Sequence, residues 1–127
     1  MDDADLVAQF EDTTLPDLPH EDHVRLVWLY TRSLGQDDAI SRIRDGLIAY
    51  TAARGSAQWF HATRTWAWAV LIADATLAST ALTFEAFLAQ HPQFLRRDLL
   101  SDYYSDALLT SDGARASVRE PDLRPLA

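Results

Sequence analysis

The stretch SAQWFHATRTWAWAVLIADATLAS, residues 56–79, decides the fold. Its apolar side chains return at helical rather than alternating intervals. His61, Thr65, Trp68, Ile72 and Ala75 share one face, and Trp59, Trp66, Val70 and Leu77 widen it. Ser56 is placed to cap this helix, which the pattern carries to about Ser79 as the most buried element of the chain. Asp74 falls in the middle of that apolar run, where an unpaired carboxylate is costly, so an arginine partner is expected for it.

Reading outward in both directions gives more helices and no strands. A short helix over Ala4 to Asp12 carries Leu6, Val7 and Phe10, and the prolines of Thr13–Pro19 break it. Asp17 is placed to cap a second helix, His20 to Leu34, with Pro19 in its first turn. This helix has the stripe His20, Val24, Val27, Thr31 and Leu34. Gly35 ends it, and Asp37 and Asp38 suit the positive end of a third helix bearing Ile40, Ile43, Leu47 and Tyr50, closed by Gly55. Downstream, Thr83 caps a short helix that His91-Pro92 stops, because the residue before a proline is pushed out of the helical region. Ser111 or Asp112 caps a last short helix to Val118, and Leu123 and Leu126 in the tail can pack back on the rest. The expectation is an all-α fold, a compact bundle of four to five helices with a short C-terminal helix and extended tail, as one domain over residues 1–127.

Composition narrows the function. The chain has 127 residues, 48% of them hydrophobic, enough for one core. Eleven basic residues, all arginine and scattered, stand against 19 acidic ones for a net charge of −8. Phosphate binding needs a basic footprint, so nucleic acid is not an expected partner. No apolar run reaches the roughly 18 residues of a membrane span, and Met1-Asp-Asp-Ala-Asp5 does not read as a signal peptide. A cytoplasmic location is expected. Without cysteine, a metal would have to be held by histidine and carboxylate. Phosphate-cradling loops, the nucleophile elbow and the HExxH motif are all missing from the sequence.

What remains is histidine. His20 and His23, three residues apart in a helix's first turn, can face one point, and His61 from the long helix would complete a three-nitrogen site for a divalent transition metal. The same three residues also suit metal-free acid–base catalysis, or structural roles on an apolar face. Glu21 and Asp22, between the first two, are what a helix start favours for its dipole. Thr65 shares the His61 face and either bonds back to its own helix or touches a ligand. The tryptophans read mostly as core, though one or two could wall a pocket for a flat molecule, Trp66 among them. Tyr103 and Tyr104 read as anchors for the C-terminal segment, with Tyr104 a candidate hydroxyl for the site.

The segments Pro19–Trp28, Phe60–Thr65, Tyr103–Ser105, Ala114-Arg115 and Glu120–Leu123 resemble a group of small bacterial helical proteins with no assigned activity. The resemblance implies that His20, His23, His61, Thr63, Thr65, Tyr103, Tyr104, Arg115 and Asp122 belong to one recurring pattern. Two functional expectations result. The first is a small-molecule enzyme with His20, His23, His61 and Tyr104 as catalytic groups, the three histidines as metal ligands, and Thr65, Trp66, Tyr103 and Arg115 against the substrate, in a biosynthetic setting. The second is a non-catalytic domain with structural histidines, whose aromatic surface binds a ligand or a second copy of the chain.

Overall fold

The path from α2 to α3 turns on one residue. Gly35 is at once the C-cap of α2 (His20–Leu34) and the N-cap of α3 (Gln36–Ala53), with φ at 87°. Its N–H reaches Thr31 O, and its carbonyl accepts from Ala39 N. A Cβ there would meet nothing within 4 Å, so glycine is required by the backbone angle and not by crowding. The two helices are thereby folded against each other with no loop between them.

The computed structural model describes residues 1–127 and is all-helical. The order is α1 (Asp3–Glu11), α2, α3, a 3-10 turn (Ala57–Trp59), α4 (Ala62–Ala78), α5 (Phe84–Gln90), 3-10 turns at Pro92–Leu95 and Leu99–Asp102, α6 (Asp106–Leu109) and α7 (Asp112–Ala116). Helices α2, α3 and α4 each pack on the other two, α1 lies against α2 and α3, and α7 closes on α4. One cluster of 23 buried apolar residues runs through α1 to α6, which is the expected all-α bundle. Phe10, Ile43, Val24, Val27 and Ile72 are fully enclosed in it. An aromatic group, Trp28, Phe84, Phe87 and Phe94, fixes α5 and the turn after it, with Phe87 and Phe94 stacked at 5.8 Å. No helix is long and apolar enough to cross a membrane.

Four local expectations are corrected. Helix α2 starts where expected, but Pro19 is itself the N-cap and Asp17 makes no cap; Glu21 and Asp22 in the first turn complement the dipole instead. Ser56 does not cap the long helix, because residues 57–59 form a separate 3-10 turn and α4 begins only after His61. Asp74 lies on the exposed side of α4, open to solvent, and no arginine pairs with it. Trp59 and Leu77, expected to thicken the apolar surface, are 74% and 59% exposed.

The C-terminal segment is strapped to the bundle by polar contacts. The Thr63 hydroxyl donates to Ser117 O at 2.9 Å and accepts from Arg119 N at 3.0 Å. Tyr104 donates to Arg119 O at 2.8 Å, Leu123 N donates to Tyr103 O, and Arg124 sits over the Tyr103 ring. Asp122 accepts from both the backbone N–H and the hydroxyl of Ser105. Leu126 packs on the core as expected, whereas Leu123 is held by its backbone and its side chain stays exposed.

Candidate functional site

The sequence places His20 and His23 at the start of α2 and His61 at the start of α4, and the structure gives each a different occupation. His61 is the N-cap of α4: its Nδ1 accepts from Arg64 N at 3.0 Å, satisfying one of the helix's free donors. Nδ1 accepts, so the proton is on Nε2, which donates to Leu109 O at 2.8 Å. Both ring nitrogens are thus committed in a side chain only 6% exposed. Burial pushes the His61 pKa down and the Leu109 bond opposes it, while the nearby Arg64 and Arg115 charges add to the lowering. The ring is neutral at neutral pH.

His20 opens α2. Its Nε2–H donates to Phe94 O at 2.7 Å, and its ring meets Trp68 edge-on at 4.7 Å. It therefore ties α2 to the 3-10 turn after α5. His23, one turn further, is the exception. Its Nε2 is wholly buried and has no hydrogen-bond partner. Burial, with a smaller contribution from His20 nearby, holds its pKa at about 4. Leaving such a nitrogen unpaired costs about 1–3 kcal/mol, so its persistence calls for an explanation beyond packing.

The expected three-nitrogen site does not form. No group of three or more histidine and carboxylate side chains is placed to hold a metal ion. A metal shared by the three histidines would have to displace Nδ1 of His61 from a helix cap or its Nε2 from Leu109 O. The polar groups expected beside them are also occupied elsewhere. Arg115 donates to Gln58 O and Phe60 O, fixing the backbone just before His61 rather than presenting its charge to an anion. Tyr104 is buried in the C-terminal strap, its hydroxyl given to Arg119 O, and burial together with Glu120 and Asp122 pushes its pKa up to about 12. The Tyr103 hydroxyl accepts from Arg124, and Trp66 is half-buried against the core.

What the structure does bring together is two recesses meeting at His23 and Leu47. The first, of about 200 Å³, is walled by His23, His61, Thr65 and Trp68 together with Trp59, Phe60, Thr51 and Arg64. The second, of about 440 Å³, is lined by Leu18, Pro19, His20, His23, Leu47 and Arg97. Thr65 belongs to the first. Thr31, Thr51 and Thr76 bond back to the carbonyl four residues earlier; Thr65 makes no such bond. A larger groove of about 500 Å³ lies between α1, α2 and Arg42 of α3, but of its charged and polar groups Glu11, Tyr30 and Arg42 satisfy one another and Asp3 pairs with Arg25.

Sequence reasoning missed Leu47, Thr51, Phe60, Arg64 and Arg97 as site residues. Arg64 sits inside the quoted Phe60–Thr65 segment and was within reach; Arg97 comes from a turn with no local signal. No family model matches the chain, and no curated protein or solved structure matches it.

Proposed function

We propose that this chain is a small-ligand binding domain whose site is the pair of recesses meeting at His23, with the apolar body of the ligand against Trp59, Phe60 and Trp68. The observation that carries the reading is His23, which borders both recesses while its buried Nε2 has no protein partner. Proteins keep such a group where it is used. The exposed Trp59, on a three-residue turn at the rim of the first recess, adds a flat surface at the mouth.

Size sets the class of ligand. At roughly 30 Å³ per water the first recess holds about seven waters, below the roughly 300 Å³ of a drug-sized pocket, so a single ring or short chain fits it. The enzyme reading is weaker for a physical reason. Acid–base catalysis works best with a pKa near the working pH, and His23 at about 4 is a poor base there, while His61 has no free nitrogen.

Phenol is a suitable first probe. With about seven non-hydrogen atoms at about 0.6 kcal/mol each, it should bind with a Kd on the order of 1 mM. Titration followed by NMR should move the indole N–H signals of Trp59 and Trp68 and the His23 ring signals along one saturable curve. His23→Leu should keep the helical circular dichroism and lose that curve. An absence of saturable shifts, or the same curve in the variant, refutes the proposal.

A further inference from the structure

The charges around the two recesses are unlike those of the rest of the molecule. The chain carries 19 acidic residues against 11 arginines, yet no aspartate or glutamate lines either recess. Each recess has one arginine, Arg64 in the first and Arg97 in the second. Neither guanidinium makes an ion pair or a hydrogen bond to the protein. By contrast Arg25, Arg42, Arg44 and Arg96 pair with carboxylates, Arg32, Arg54 and Arg115 donate to carbonyls and Arg124 donates to the Tyr103 hydroxyl; Arg119, in the C-terminal segment, is the other arginine whose guanidinium has no partner.

The backbone adds to this. The first recess is bounded by the start of the 17-residue α4, and the second by the start of the 15-residue α2, so both face the positive ends of long helices. Glu21 and Asp22 in the first turn of α2 line neither recess. A second observation is the buried Nε2 of His23, which has no partner and belongs to the residue that borders both recesses. Nothing around His23 favours a cation, since the neutral imidazoles of His23 and His61 bring no negative charge.

We infer that the ligand is a small organic carboxylate, its ring or short apolar chain seated against Trp59, Phe60 and Trp68 and its carboxylate held by Arg64, with Arg97 adding attraction across His23. This rests on the binding-site reading above and narrows it to one charge class. A guanidinium–carboxylate contact is about twice as strong as a neutral hydrogen bond, so an anion should be preferred over its neutral isostere by roughly tenfold.

Benzoate and benzamide share one shape and differ in charge, so the pair isolates the effect. At low ionic strength benzoate should bind the full-length protein about tenfold more tightly than benzamide, on the same Trp59 and Trp68 signals, and added salt should narrow the gap. Arg64→Gln should remove the preference for benzoate over benzamide, and Arg97→Gln should reduce it in part. Both side chains are exposed and without protein partners, so neither change should disturb folding. Equal binding of benzoate and benzamide to the unaltered protein overturns this inference while leaving the binding site intact. A benzoate preference that survives Arg64→Gln overturns it too. If neither molecule binds, the binding-site reading itself fails.

Discussion

Replacing His23 with leucine should make the protein more stable, and more so the lower the pH. Leucine is close to histidine in volume and brings no polar atom, so the variant removes a buried nitrogen that has no partner. The cost of such an orphan, about 1–3 kcal/mol, is recovered in part at pH 7, giving a gain of about 1–2 kcal/mol. For a domain of this size that is about 3–5 °C in Tm per kcal/mol. Acid adds a second term. The ordinary pKa of 6.5 falls to about 4 in the folded protein, chiefly through burial. Between those values the unfolded chain binds a proton that the folded one refuses, so folding stability declines as pH drops through that window.

Two and a half units at about 1.36 kcal/mol each correspond to about 3 kcal/mol, trimmed to about 2–3 because part of the ring reaches the recesses. His23→Leu has no such proton to refuse. His61 also has a lowered pKa, but it titrates in both proteins and drops out of the difference. Urea unfolding followed by circular dichroism at neutral pH and near pH 4 measures the gap directly. It should widen from about 1–2 to about 3–5 kcal/mol. Parallel stability curves, or a variant less stable than the parent at pH 7, would show that the nitrogen is satisfied in solution and refute the reasoning.

His61→Ala removes a helix cap and leaves Leu109 O without its donor, so it should cost about 2–4 kcal/mol in urea unfolding, whereas His61→Asn, able to cap α4, should cost less. Thr63→Val strips both hydrogen bonds that hold Ser117 and Arg119, and limited proteolysis should then clip the segment after residue 116 well before the bundle is cut. Asp122, its pKa held down by Ser105, should loosen the same segment as pH falls through its folded-state pKa, with faster amide exchange at Ser105 and Leu123 as the readout. Gly46→Ala looks favourable for a helix interior by about 1 kcal/mol, yet the new Cβ would overlap the enclosed Phe10 ring; the net should be a loss of about 2 kcal/mol in thermal unfolding.

Gly46 also shows which part of the fold sequence reasoning reaches. The period of apolar residues was enough for the helices because each helix reports its own buried face: Leu6 and Phe10, Val24 and Val27, Ile43 and Tyr50, Trp68 and Ile72 all lie in the core where their spacing puts them. Local stops were legible for the same reason. Gly35, Thr83 and the His91-Pro92 step act through their own backbone, and each behaves as its chemistry requires. Contacts between elements carry no such mark. That α1 approaches α3 closely enough for Phe10 to fill the space above Gly46 depends on two segments far apart in the chain, and neither reports the other.

The site follows the same division, and His61 is where it matters most. Its phase relative to Trp68 and Ile72 predicts membership of a helix face, but the helix starts one residue after it, and a side chain one position before a helix serves the backbone instead of the core. That single offset turns a candidate ligand into a cap, commits Nδ1, fixes the proton on Nε2 and so removes one corner of the expected metal site. His23, inside α2, has no terminus to serve. Its neighbours in the sequence gave it the right depth but could not say that its nitrogen would be left unpartnered, because the groups able to satisfy it belong to α3 and α4. His61 is spent on capping α4 and His20 on Phe94 O, and His23, bordering both recesses, is the one of the three whose buried nitrogen no neighbouring element pairs.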